Sequence, residues 1–494
     1  MTIYLNGSDL DWRDAVLIMH SKEIPVAVAK EAVPLIQKSR KRVESILNQN
    51  RAVYGINTGF GSLATVPVAK EDLKTLQDNL IRSHAVGVGE PLSAPLVRGI
   101  LLLRANTLCR GHSGVRLEVI ETLLAALNQN ILPVVPEIGS LGASGDLAPL
   151  SHLILGLMGE GELLCKKKLS DYDIMPLSLQ AKEGLGMING TPVMSSIGLE
   201  CLSRMEILLN ASDVISALTI EALLGSNQPF REELHRVRAH RGQIQVAKNL
   251  YELLDGSQNL LSHKDCSKVQ DAYSLRCIPQ VHGASRDAWD YAQNTLSIEI
   301  NSVTDNPLVF EEDVISGGNF HGQPVGLALA LLSIAAAELG SISERRQNRL
   351  LNPALSGLPA FLTLGSGLNS GLMILQYTSA ALVAENRVLA HPAVLDSLPT
   401  SADQEDHVSM ATTQARNCLK IIEHVEKILS HELLMAVQGL RLLFSSSHGK
   451  HKLSPKLEPI FDQLCQALPE ITSDRVFQKD MQIALNFLRS GKLV

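Results

Sequence analysis

Cys418, Ile421, Ile422, Val425, Ile428, Leu429, Leu433, Val437 and Leu440 recur at three- and four-residue steps. That spacing puts all of them on one face of an α-helix. Continued from Asp406 to Phe444, it predicts a helix about 58 Å long at ~1.5 Å per residue. Ser445-Ser446-Ser447-His448-Gly449 is expected to end it. So long a helix needs partners of similar length to cover its apolar stripe. The chain supplies them, being almost wholly helical in pattern from Met194 onward. Leu and Ala dominate while aromatics make up only 4%, a balance that favours helices. The expected fold is mainly α: a mixed N-terminal part over residues 1–205, then a bundle of long helices over 206–494. Bundled helices leave apolar faces for further copies to cover, so homo-oligomerisation is expected.

The N-terminal part is more varied. Residues 1–25 alternate apolar and polar, which predicts a short strand and turns. Val26–Leu47 has helical spacing, with Pro34 as a kink. Arg51–Thr65 is a glycine-punctuated loop. Helices are expected over Leu73–His84, Leu96–Cys109, Val115–Leu127 and Ala148–Met158, and Lys166-Lys167-Lys168 should be a solvated turn. The apolar run Val325–Ala337 is too short to span a bilayer and is expected as a helix buried on all sides. Net charge is −7, so no basic face suggests nucleic acid or membrane as a partner. Met1-Thr2-Ile3-Tyr4-Leu5-Asn6-Gly7 has neither the charge nor the apolar stretch of a secretion signal. The seven cysteines show no metal-ligand spacing, and an odd count without an export signal fits a reducing cytoplasm.

Chemistry is concentrated in Gly139-Ser140-Leu141-Gly142-Ala143-Ser144-Gly145-Asp146-Leu147-Ala148-Pro149-Leu150. Three glycines in seven residues permit a compact, strained loop. Asp146 reads as the N-cap of the following helix, with Pro149 in its first turn. In such a loop the Gly145 nitrogen can attack the Ala143 carbonyl. Loss of two waters, one carrying off the Ser144 hydroxyl, leaves a five-membered ring with an exocyclic methylidene. The chain thereby makes its own electrophile, and a helix N-terminus behind it would stabilise negative charge. Ala-Ser-Gly alone is an ordinary small-residue turn; its company gives it weight.

That company consists of polar stretches a plain helical scaffold does not need. Tyr54 lies in Tyr54-Gly55-Ile56-Asn57-Thr58-Gly59. Ser83-His84 ends a helix, Asn189 stands in Asn189-Gly190-Thr191, and Gln270, Tyr273 and Arg276 share one segment. Phe320 lies in Ser316-Gly317-Gly318-Asn319-Phe320-His321-Gly322, and Gln404-Glu405-Asp406-His407 opens the long helix. Each has a structural reading by itself: a turn aromatic, a satisfied histidine, an Arg276–Asp271 pair, a core phenylalanine, or acidic residues in a first helical turn.

Together these stretches closely resemble the ammonia-lyases that carry a methylidene-imidazolone group, the histidine and aromatic amino acid lyases. The resemblance runs from about Val53 to Met410 and is most specific over 139–150. It implies a histidase/fumarase-like fold. Ser83-His84 and Gln404-Glu405-Asp406-His407 are similar to the histidine branch; phenylalanine and tyrosine members usually carry a different first pair and an amide where Glu405 stands. Ala272, Gly186-Met187 and Asp403 depart from the family pattern without removing a chemical group.

The resemblance implies non-oxidative deamination of L-histidine to trans-urocanate and ammonia, the first step of histidine degradation. A 4-methylidene-imidazol-5-one formed from Ala143, Ser144 and Gly145 would be the electrophile, with no external cofactor and no metal. Tyr54, with a depressed pKa, would take the Cβ proton. Arg276 would clamp the carboxylate, while Asn189, Gln270 and Tyr273 would position the substrate and bind the ring oxygen. Phe320 would pack on the ring, and His84 and Glu405, beside Gln404, would grip the imidazole. A homotetramer with shared active sites is implied. The alternatives are a tyrosine or phenylalanine lyase or aminomutase on the same fold, a fumarase–aspartase-type lyase using a serine base, and a non-catalytic helical oligomer.

Overall fold

The computed structural model describes residues 2–49, 52–172, 174–262, 269–446 and 452–493. Arg51 and residues 447–449, expected in a loop and a helix stop, lie outside them. The chain divides into two compact units that interleave in sequence. The first comprises Met1–Cys201, Ala292–Ala330 and Pro392–Arg416; the second comprises Leu202–Tyr291, Leu331–His391 and Asn417–Val494. The sequence alone suggests one cut near residue 205.

The first unit opens with β1 (Ile3–Leu5), α1 (Trp12–His20), β2 (Val26–Val28) and α2 (Ala32–Leu47). β1 pairs with β2 in parallel, Ile3 opposite Val26. The helix α1 stands where only turns were expected. Asp11 caps it by accepting from the Arg13 N–H at 2.7 Å, and Trp12, Ala15, Ile18 and Met19 are its buried face. Pro34 kinks nothing: it falls in the first turn of α2, where a missing N–H costs no hydrogen bond.

α3 (Leu73–His84), β3 (Val88–Pro91), α4 (Ala94–Cys109), α5 (Leu117–Asn128), β4 (Pro136–Ile138), α6 (Leu147–Leu157) and α7 (Glu183–Ile188) follow. β3 and β4 are antiparallel. α3 buries Leu73, Gln77, Leu80 and Ile81 at helical spacing, leaving His84 at its C-terminal end. α4 is buried nearly all round, as expected of a helix apolar on every face. Its interior arginines donate to carbonyls: Arg98 to Ile18 O and Leu127 O, and Arg104 to Asn189 O and Gly186 O, with Arg104 Nε left unpartnered among the described residues.

α8 (Pro192–Ala222) is the first long helix. The second unit then takes in α9 (Glu232–Arg236), α10 (Arg241–Leu254), α11 (Gln258–Ser262) and α12 (Tyr273–Arg276), before the long α13 (Ile278–Glu299). The antiparallel pair β5 (Leu308–Val309) and β6 (Val314–Ile315) belongs to the first unit. α14 (Gln323–Leu351), α15 (Pro353–Ser356), α16 (Met373–Leu389), α17 (Ala411–Ser446), α18 (Glu458–Ala467) and α19 (Gln478–Arg489) complete the chain.

The apolar series on α17 is buried as its period requires: Cys418, Ile421, Ile422, Val425, Ile428, Leu429, Leu433, Val437 and Leu440 are each 0% exposed. The helix starts at Ala411 rather than Asp406, so Gln404-Glu405-Asp406-His407 lies in the loop before it. Ser401, Ala402, Asp403 and Met410 have φ between +50° and +64°, a left-handed backbone that excludes a continuous helix. Glu432 of α17 is fully buried and fully met: Arg346 donates from Nε at 2.6 Å and Nη2 at 2.9 Å, with Thr219 and Ser343 adding hydroxyl donors. α14 is a correction as well. Leu327, Leu331 and Ile334 are 50%, 42% and 48% exposed, so the apolar run shows one open face. By length and composition α14 is the one described helix long and apolar enough to cross a membrane, although two-thirds of its apolar window is buried.

Candidate active site

The Gly142–Asp146 loop is held from both sides within the first unit. Gly142 and Gly145 take φ of +63° and +71°, which glycine adopts without Cβ strain. A Cβ on Gly145 would sit 2.1 Å from Gly190 O, so only glycine allows the close Gly145–Gly190 pairing. Asp146 N donates to Gly190 O at 2.7 Å. On the opposite side Ser409 Oγ donates to Gly142 O at 2.9 Å, and Met410 N to Leu141 O at 2.8 Å.

Asp146 precedes α6 as expected but makes no side-chain cap bond to it. Its carboxylate instead caps α8, accepting from Val193 N at 2.9 Å and Met194 N at 3.0 Å. It also accepts from Ser140 Oγ and Thr412 Oγ1 at 2.8 and 2.6 Å. Burial pushes its pKa up even against these four donors.

Ser144 is the half-buried residue of this loop. Asn189, leaving the C-terminus of α7, donates from Nδ2 to Ser144 O at 2.7 Å and to Ser144 Oγ at 3.0 Å. Ser144 opens onto a cavity of about 360 Å³ whose lining includes Tyr54, Phe60, Leu80, His84 and Glu405. His84 Nδ1 lies 3.0 Å from Ser83 Oγ. Desolvation lowers the His84 pKa against a weaker pull from Glu405, leaving the imidazole neutral at pH 7. Glu405 is turned toward the cavity by a bridge to Thr400, whose hydroxyl donates to Glu405 Oε2 at 3.0 Å. Tyr54 runs against expectation: burial pushes its phenol up, the Gly61 N–H opposes this, and the carboxylates Glu405 and Asp305 add to the rise.

The remaining residues lie elsewhere. Gln404 is exposed, and Phe320 is half-buried; neither lines the cavity. Gln270 and Arg276 line a separate cavity of about 1110 Å³ inside the second unit. Arg276 stacks on Tyr273, its guanidinium carbon 4.7 Å from the ring centroid. It does not pair with Asp271, which accepts from Ser226 N. Arg276 Nε is buried with no partner among the described residues. Sequence reasoning passed over Ser140, Ser409, Thr412 and Arg104. Of these only Arg104 carried a signal, a charge placed inside the apolar run of α4.

The sequence pattern of the aromatic amino acid lyases matches residues 10–465. The chain belongs to that family. It is 50% identical to the histidine ammonia-lyase of Geobacillus thermodenitrificans over 489 residues, covering 97% of this chain and 96% of the relative. The solved structure of histidine ammonia-lyase from Trypanosoma cruzi superposes with a TM-score of 0.91 at 43% identity, covering 100% of this chain and 94% of that one. Tyrosine aminomutase from Streptomyces globisporus gives 0.93 at 38% identity, covering 100% and 98%. The helical architecture is thus shared with lyases and aminomutases of this family.

Proposed function

We propose that this protein is a carbon–nitrogen lyase that converts L-histidine to trans-urocanate and ammonia. The observation that carries the reading is the polar pair His84 and Glu405 in the cavity onto which Ser144 opens. Two imidazole nitrogens entering a closed site each need a partner, or cost about 1–3 kcal/mol. Glu405 accepts from an imidazole N–H, and neutral His84 can donate or accept. A phenylalanine or tyrosine ring would leave at least one of the two unanswered, which argues against the aminomutase and aromatic lyase alternatives.

Ala143, Ser144 and Gly145 fit a self-made 4-methylidene-imidazol-5-one. The left-handed Gly145 is packed where a Cβ cannot go, and the Asn189 amide lies at Ser144 O, the atom that would become the ring oxygen. When formed, the group supplies an electrophile that turns the substrate amine into a leaving group. Tyr54 would take the Cβ proton, Asn189 would hold the ring oxygen, and Phe320 would pack nearby.

Gln270, Tyr273 and Arg276 are not in the cavity at Ser144, which supports a homotetramer whose sites draw on more than one copy. In that assembly Arg276 would clamp the α-carboxylate as a bidentate pair. Localisation in the cytoplasm fits the absence of paired cysteines among the described residues.

The test is to incubate the protein separately with histidine, tyrosine and phenylalanine and follow the conjugated acid in the ultraviolet. Histidine should be preferred by ~10⁴-fold or more in kcat/KM, and His84→Leu should cost histidine turnover without lowering the melting temperature comparably. Equal wild-type rates on histidine and tyrosine would refute the reading.

A further inference from the structure

Arg104 is fully buried in α4, 0% exposed, and it touches none of the residues expected to meet substrate through their side chains. Its guanidinium closes the C-terminal end of α7. Nη1 donates to Asn189 O at 2.8 Å and Nη2 to Gly186 O. A cation at this position satisfies carbonyls that a helix leaves open at its end. The same bond fixes the backbone from which the Asn189 amide reaches Ser144 O and Oγ. Gly190, the next residue, is confined equally closely: a Cβ there would lie 2.7 Å from Arg104 Nη1 and 2.7 Å from Thr304 Oγ1.

The cation is held charged in this dry setting. Burial lowers its pKa to about 10, and Asp305 pulls it back up, so it carries a proton at pH 7 throughout. Asp305 also receives the Lys182 ammonium at 2.7 Å, both side chains being 0% exposed. The Lys182–Asp305 pair thus lies against α7, Nζ and Oδ2 being 3.7 and 3.8 Å from where a Cβ on Gly186 would sit, while the Asn189 amide meets the Ser144 loop.

Building on the ring-forming reading, we propose that Arg104 is the positioning residue for ring closure. It sets Asn189, and Asn189 sets Ser144. In closure the Gly145 nitrogen bonds to the Ala143 carbonyl carbon. The Ala143 oxygen leaves as water with the Gly145 and Ser144 amide protons. The Ser144 hydroxyl leaves as a second water with the Ser144 Cα proton. Asn189 Nδ2 stands within hydrogen-bond distance of both the Ser144 hydroxyl that departs and the Ser144 carbonyl that remains, so displacing it misaligns both. Arg104 would act only through that amide.

The experiment compares wild type, Arg104→Lys, Arg104→Met, Asn189→Ala and the Arg104→Lys/Asn189→Ala double variant. Intact mass gives the fraction lighter by about 36 Da, two waters, and kcat, KM and melting temperature are measured alongside. Lysine keeps the charge but loses the fork, so Arg104→Lys should leave a substantial fraction at full mass and lower kcat with little change in KM per modified site. In the Asn189→Ala background the same change should alter neither mass nor kcat further, a non-additivity that independent structural damage would not produce. Complete mass loss with wild-type kcat in Arg104→Lys would overturn the proposal, as would full additivity in the double variant. If Arg104→Met fails to fold, the Lys variant decides alone. A wild-type protein at full sequence mass would overturn the ring reading itself, and is read separately from every variant.

Discussion

At Tyr54 two carboxylates, Glu405 and Asp305, join burial in raising the phenol. The phenolate is the form that accepts a proton, so proton removal should speed up as pH rises toward the phenol pKa. Glu405→Gln removes one of those negative charges and should ease ionisation of Tyr54. The rising limb of kcat against pH is therefore expected at lower pH in Glu405→Gln than in wild type, even though histidine binds the variant less well. A limb that does not move would show that Tyr54 and Glu405 do not sense one another. Tyr54 and Glu405 stood out as candidates in the sequence because each sits in a short polar stretch that a plain helical scaffold does not need. Arg104 was not singled out, since its partners Gly186 and Asn189 are some eighty residues away and only the fold brings them together. The raised Tyr54 pKa was equally hidden, because Asp305 lies about 250 positions further on.

Between elements, the α16–α17 contact offers a second expectation. Ser379 on α16 and His431 on α17 share a hydrogen bond at 2.8 Å, and burial drops the His431 pKa to about 4 from 6.5. The folded state thus binds fewer protons than the unfolded one between those values. Stability should fall as pH drops from 6.5 to 4, and at about 1.4 kcal/mol per unit this one group contributes up to ~3 kcal/mol. Glu221, raised to about 7 from 4.5 by burial, acts in the opposite sense: its stability contribution is lost as pH rises through 7. His431→Gln can keep the bond to Ser379 and should flatten the pH dependence of melting relative to wild type. An unchanged slope would mean that His431 does not titrate with unfolding. Helical period made α2 to α6 and α17 readable. The loop before α17 was read as helix because Glu405 and Asp406 suit a first turn, whereas bonds from Met410 N to Leu141 O and Val408 N to Ser397 Oγ hold it in another shape. No local signal could have shown those partners.

For the whole molecule, the open face of α14 bears on assembly. Leu327, Leu331 and Ile334 recur at four- and three-residue steps and are all at least 42% exposed, a stripe that a single chain leaves wet. Leu331→Lys with Ile334→Lys should break the expected tetramer into smaller species and lower activity in step, read by light scattering and by the histidine assay. A double variant that stays tetrameric and active would move the interface elsewhere. The open face of α14 was not legible, because its apolar run reads as buried on all sides, and neither was the interleaving of the two units, since periodicity carries no record of which segments return to which. That interleaving also sets a clock on biosynthesis. Ser409 and Thr412, which brace Gly142 and Asp146, lie 267 and 266 positions downstream. A ribosome adding ~5–20 residues per second needs roughly ten seconds to a minute to cover that distance. Nascent chains therefore carry an Ala-Ser-Gly loop without its Ser409 and Thr412 braces while those residues are still to be made, and the electrophile proposed above would be armed only after a largely finished protein has closed around it.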